Sequence, residues 1–60
     1  MMMEDLDKTM MVHIANEPNY YLNGERVRIL RELTDGYVLI HFLDRHSTAV
    51  FRRINLRELT

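Results

Sequence analysis

Sixty residues with eight basic and nine acidic side chains, a net charge of −1 and no cysteine allow one small domain without disulfides or thiolate metal sites. Such a chain buries only about 60% of the surface its unfolded form exposes, so one core should hold it by roughly 3–5 kcal/mol. No apolar run approaches the roughly 20 residues that cross a bilayer.

The opening MMMEDLDK carries acids where a secretory signal carries lysines, so a cytoplasmic protein is expected; the lack of cysteine suits a reducing compartment. Residues 1–9 are polar, acidic and without period, and are expected to form a flexible tail ahead of a single domain over residues 10–60. Charge is uneven: Lys8 stands against Glu4, Asp5, Asp7, Glu17 and Glu25, whereas all seven arginines follow residue 25, against Glu32, Asp35, Asp44 and Glu58. The two halves could attract one another within one chain or between two.

Met10 to Ala15, MMVHIA, alternates enough for a short strand, and NEPN then interrupts any ladder. Asn23-Gly24 reads as a turn because both residues tolerate positive φ. Val27 to Leu33 is an expected strand. Asp35-Gly36 follows, a two-residue type I′ hairpin signal between apolar runs. Tyr37 to Leu43 and Thr48 to Ile54 are the next strands, joined by the polar turn DRHS. At the end, Leu56 and Leu59 lie three apart, the spacing of one 3₁₀ or α turn. Val, Ile, Phe and Tyr dominate residues 27–54 and turn residues recur, so strands are expected there rather than helices.

With Asp35-Gly36 as the turn, Leu33 faces Val38 and Ile29 faces Phe42; with DRHS as the loop, Leu43 faces Thr48 and Ile40 faces Phe51. Alternation then sorts the side chains. Val27, Ile29, Leu33, Val38, Ile40, Phe42, Ala49 and Phe51 make a core face, with Arg31 and Arg53 near strand ends. Arg26, Arg28, Leu30, Glu32, Tyr37, Leu39, His41, Leu43, Val50 and Arg52 make a mixed face with an apolar centre. A slip of one residue in the first hairpin would carry Val27 and Ile29 to the wrong side.

GERVRIL, DGYVLIHFLD and the closing NLREL together resemble the small SH3-like barrels, among them Tudor-type domains and the photosystem I subunit PsaE. The resemblance covers about Gly24 to Leu59. It rests on the glycine ahead of the first core strand, the Phe42-Leu43-Asp44 strand end and the leucine pair. It implies an all-β fold, an antiparallel meander curled into a small barrel with a C-terminal 3₁₀ turn. A further strand would come from Met10–Ala15 or Asn19–Leu22. Tudor-type domains also imply an aromatic cage for methylated side chains. This chain has no tryptophan, so the cage is not carried over and only the fold class is.

Little points to catalysis. His13, His41 and His46 lack the short spacings that aim two imidazoles at one metal, so no metal or other cofactor is expected. Ser47 is the only serine and merely neighbours His46. Gly24 and Gly36 are lone turn glycines, not a phosphate loop. No set of nucleophile, base and oxyanion donors is visible, and a non-enzymatic protein is expected.

Arginine is the informative residue, the type favoured where a planar fork grips carboxylate or phosphate. The candidate partner-binding set is Arg26, Arg28, Leu30, Tyr37, Leu39, His41, Leu43, Val50 and Arg52. Arginine and tyrosine around an apolar centre suit a protein interface. The bland reading is arginine stems packed on a thin sheet with their heads in water. A third is single-stranded nucleic acid held by Arg26, Arg28, Arg52 and Tyr37, against which the slightly negative net charge weighs. The oily centre calls for a cover: MMVHIA crossing the face, or a second copy on a two-fold axis, the homodimer being favoured. Thr48–Ile54 and Val27–Leu33 are the candidate edges for strand addition. A subunit with a purely structural role in a larger complex would share this chemistry. No membrane association is expected.

Overall fold

The computed structural model describes residue 6 and residues 8–59. Five strands, β1 (Thr9–Val12), β2 (Arg26–Glu32), β3 (Tyr37–Phe42), β4 (Thr48–Arg52) and β5 (Leu56–Glu58), form one antiparallel sheet in the order β4-β3-β2-β1-β5. β2, β3 and β4 are the expected meander. β1 joins it beside β2, and β5 joins beside β1. Among the described residues no helix is long and apolar enough to cross a membrane.

The first hairpin turns as its two residues require. Asp35 (φ 59°, ψ 35°) and Gly36 (φ 77°) both take positive φ, and the Tyr37 N–H donates to Thr34 O, the type I′ arrangement. The ladder above it does not run in the simple register. Leu33 N–H donates to Tyr37 O, and Val38 lies opposite Glu32, not Leu33. A second one-residue shift follows at Leu30, beyond which Ile29 faces Ile40 and Val27 faces Phe42. Each shift alone would reverse the faces of β2. Two of them cancel, so Val27 and Ile29 point inward with Ile40 and Phe42.

The second hairpin is also displaced, by two residues. Phe42 N–H donates to Ser47 O, and Ile40 faces Ala49 where Phe51 was expected. An even displacement leaves every side chain on its expected face.

The core is Met10, Val12, Leu22, Val27, Ile29, Val38, Ile40, Phe42, Phe51 and Leu56, with Ile14, Tyr20 and Ala49 packed against it. Phe42 and Phe51 meet edge to face at 6.3 Å. No polar or charged residue is buried among those described. Two members of the expected core face leave it because of the shifts: Arg31 is exposed and Leu33 only half-buried.

MMVHIA does not cross the mixed face. Its residues Met10 and Val12 are fully buried in the core while its backbone pairs with β2 and β5. Val27–Leu33 is therefore not an edge; β2 lies inside the sheet. The expected helical turn exists as a single 3₁₀ turn at Arg53–Asn55. It precedes the leucine pair, because Leu56 is drawn into β5 opposite Val12 and buried. Residues 1–5 and 7 of the expected tail lie outside the described residues. Of the others, Leu6 bridges Ile29, Lys8 is 3.3 Å from Glu58, and Thr9 opens β1.

Within the long connection between β1 and β2, the Asn23 side chain bridges backbone groups on both sides. Asn23 Oδ1 accepts from Ile14 N–H at 2.9 Å, and its Nδ2 donates to Glu17 O at 2.9 Å. Of the expected Asn23-Gly24 pair only Gly24 takes positive φ (93°). Asn23 works as a latch through its amide rather than as a turn residue through its backbone.

Candidate interaction surface

Opposite the core, β2, β3 and β4 present an outer face built of cross-strand rows. Arg28, His41 and Thr48 form one row, and Arg31, Leu39 and Val50 the next; Tyr37 and Arg52 close the set. Directly opposed residues of this kind sit about 4.5–5.5 Å apart at Cβ, within contact of one another. Arg26 extends β2 beyond the first row, and Leu43 follows β3 there, its N–H donating to Arg26 O. Eight of the nine candidate residues thus share this face. Leu30 sits at the register shift, exposed and outside the rows. Arg31 takes its place beside Leu39. Arg31 lies between the two shifts, which set it on the outer face while Ile29 stays inward, and nothing in the local sequence announces the shift at Leu30.

The apolar centre is Leu39 against Val50. Leu39 is half-buried beneath its neighbours, whereas Val50 is 54% exposed. The arginines around this pair differ in their surroundings. Arg26 is 3.0 Å from Asp44 in an exposed ion pair, an interaction worth little in water. The Arg52 guanidinium lies over the Tyr37 ring at 5.5 Å, a cation–π contact that also covers one face of the ring. Arg28 and Arg31 form no ion pair among the described residues. Their charge is left to solvent or to a ligand.

Other groups lie elsewhere. Arg45 joins the β1–β2 and β3–β4 connections, 3.1 Å from Glu25 Oε2 and 5.2 Å above the Phe42 ring. Tyr20 and Tyr21 stack tilted at 5.2 Å in the β1–β2 connection. Tyr37 and Phe42 point to opposite faces of β3, so those two rings do not converge. No three of His, Asp and Glu among the described residues are grouped to hold a metal ion.

No protein-family model matches this sequence, and no curated protein matches it. The backbone, however, superimposes on that of extended Tudor domain TD3 from mouse TDRD1 with a TM-score of 0.72. The match takes in 98% of this chain and 28% of that one, at 15% sequence identity. In fold, this chain is a Tudor-type SH3-like barrel. The barrel spans just over a quarter of the chain it resembles, and at that identity the likeness is one of backbone path. What the barrel carries on its outer face belongs to this sequence.

Proposed function

We propose that this barrel is a non-enzymatic interaction module that presents the outer face of β2–β4 to a protein partner. One observation supports this above the rest: Leu39 and Val50 form an open apolar pair, and the adjoining Arg28 and Arg31 form no ion pair among the described residues. An apolar anchor ringed by arginine forks suits a segment carrying aliphatic side chains flanked by Asp or Glu. Single-stranded nucleic acid is the less favoured reading. Tyr37, the one aromatic on this face, already has Arg52 over its ring, which removes a bare platform for base stacking.

Titrating the labelled protein with an Asp/Glu-flanked Leu-Val peptide tests the reading. Shifts should concentrate on Arg28, Arg31, Leu39 and Val50, and Leu39→Lys or the pair Arg28→Glu, Arg31→Glu should weaken binding at least tenfold. Absence of any perturbation on the outer face would remove the proposal. Tight binding of oligouridylate with a steep salt dependence would replace it by the nucleic-acid reading.

A further inference from the structure

The two edges of the sheet are unequal. At β5 the free edge is three residues long and closed off. The Leu56 N–H donates to Arg53 O, and the Leu56 carbonyl accepts from Arg53 Nη1 at 3.2 Å. Glu58 beyond it is held by Lys8. Short strands, charges and capped backbone are the devices that keep an edge from pairing.

β4 has none of these in its centre. Phe42 N–H donates to Ser47 O, so hydrogen-bonded pairs recur at Ile40–Ala49 and Val38–Phe51 along the same register. The backbone groups of Ala49 and Phe51 are thereby turned toward β3. Those of Thr48, Val50 and Arg52 point the other way, off the sheet. The strand has no proline, no register shift against β3, and an exposed valine at its midpoint.

We infer that β4 pairs with β4 of a second copy, antiparallel about a two-fold axis at Val50, joining two barrels into one continuous sheet. The edge is self-complementary in this register and in no other that uses all three outward residues. Each Val50 exchanges N–H and C=O with the partner's Val50, and Thr48 does so with the partner's Arg52, whose carbonyl is shared with the 3₁₀ turn that Arg52 caps. The two Arg52 side chains then stand about 13 Å apart along the strands, beyond the roughly 8 Å over which exposed charges interact in physiological salt. No acidic side chain is needed opposite Arg52, since Tyr37 already engages it.

The pairing has a consequence for the outer face. Leu39 and Val50 of one copy run on into the partner's Val50 and the partner's Leu39, making one apolar strip with arginines from both copies at its margins. A second copy therefore extends the surface instead of covering it. This inference stands on the edge alone, whatever the outer face binds.

Sedimentation across rising concentration, with amide exchange on the same samples, tests it. A monomer–dimer equilibrium is expected, with protection of the Thr48, Val50 and Arg52 amides growing as the dimer fills. Ala49 and Phe51, bonded to β3, should be protected throughout. Val50→Pro removes an N–H that β3 does not use, as edge strands tolerate, and should leave a folded monomer. Val50→Lys, which sets two ammonium groups face to face across the axis, should do the same if the proline variant fails to fold. A wild-type protein monomeric at millimolar concentration would overturn the inference. So would a dimer that persists in either folded variant. If the three amides become protected only when the acidic peptide is added to a monomer, the occupant is a foreign strand and the second copy is ruled out. The outer-face shifts are read separately, so either proposal can fail alone.

Discussion

Asp35 and Gly36 are adjacent positions at which the backbone takes left-handed values. An L-residue with a Cβ pays roughly 1–2 kcal/mol there, and Asp is among the few that tolerate it. At Gly36 an added Cβ would meet nothing within 4 Å, so Gly36→Ala tests conformation without collision. It should cost about 1 kcal/mol and lower the melting temperature by roughly 4–8 °C, the scaling for a domain of this size. An unchanged melt would mean that the turn relaxes and does not set the hairpin. Asn23 shows the other way in which a single residue organises the backbone. Its amide satisfies the Ile14 N–H and binds the Glu17 carbonyl across the connection. Sequence marks both sites as turns. It does not distinguish a residue acting through φ from one acting through its side chain, because asparagine suits both.

At the scale of strands, most of what was legible came from alternation, and the rest was lost where alternation is silent. Val27, Ile29, Val38, Ile40, Phe42 and Phe51 enter the core as their spacing implies. They do so despite shifted registers in both hairpins, because two single shifts or one double shift preserve parity. The shift at Leu30 has no glycine or proline to signal it, so Arg31 was placed on the wrong face. β5 was missed because three residues, LRE, are too few to show a period, and its leucine spacing suits a helical turn equally well. Deleting Leu30 is the corresponding test. It removes one of two compensating shifts, so either Val27 and Ile29 turn to solvent or the hairpin turn must rebuild. Two buried aliphatic side chains are each worth about 1.5–3 kcal/mol, and cooperative unfolding should be lost. Leu30→Ala, at an exposed position, should cost less than about 1 kcal/mol. A deletion variant with a native melt and dispersed spectrum would show that the shifts do not fix the faces.

Considered whole, the sheet joins its first and last strands. β1 pairs with β5, and Val12 lies opposite Leu56 with both side chains buried. The short C-terminal strand is thus as much a part of the single core as the central hairpin. Leu56 and Ile54 are near neighbours and similar in hydrophobicity, yet Leu56 is buried and Ile54 is 80% exposed. Leu56→Ala should remove about 2–4 kcal/mol of packing, most of the roughly 3–5 kcal/mol that one core of this size supplies. A large fraction of that variant should be unfolded at 25 °C, with the midpoint in urea moved close to zero. Ile54→Ala should stay within about 0.5 kcal/mol of the parent. Equal losses at the two positions would place β5 outside the cooperative unit and leave β1 to cover that side of the core alone. Loss at Leu56 only would show that β1, β5 and the meander fold as one body, and that the outer face rests on all five strands.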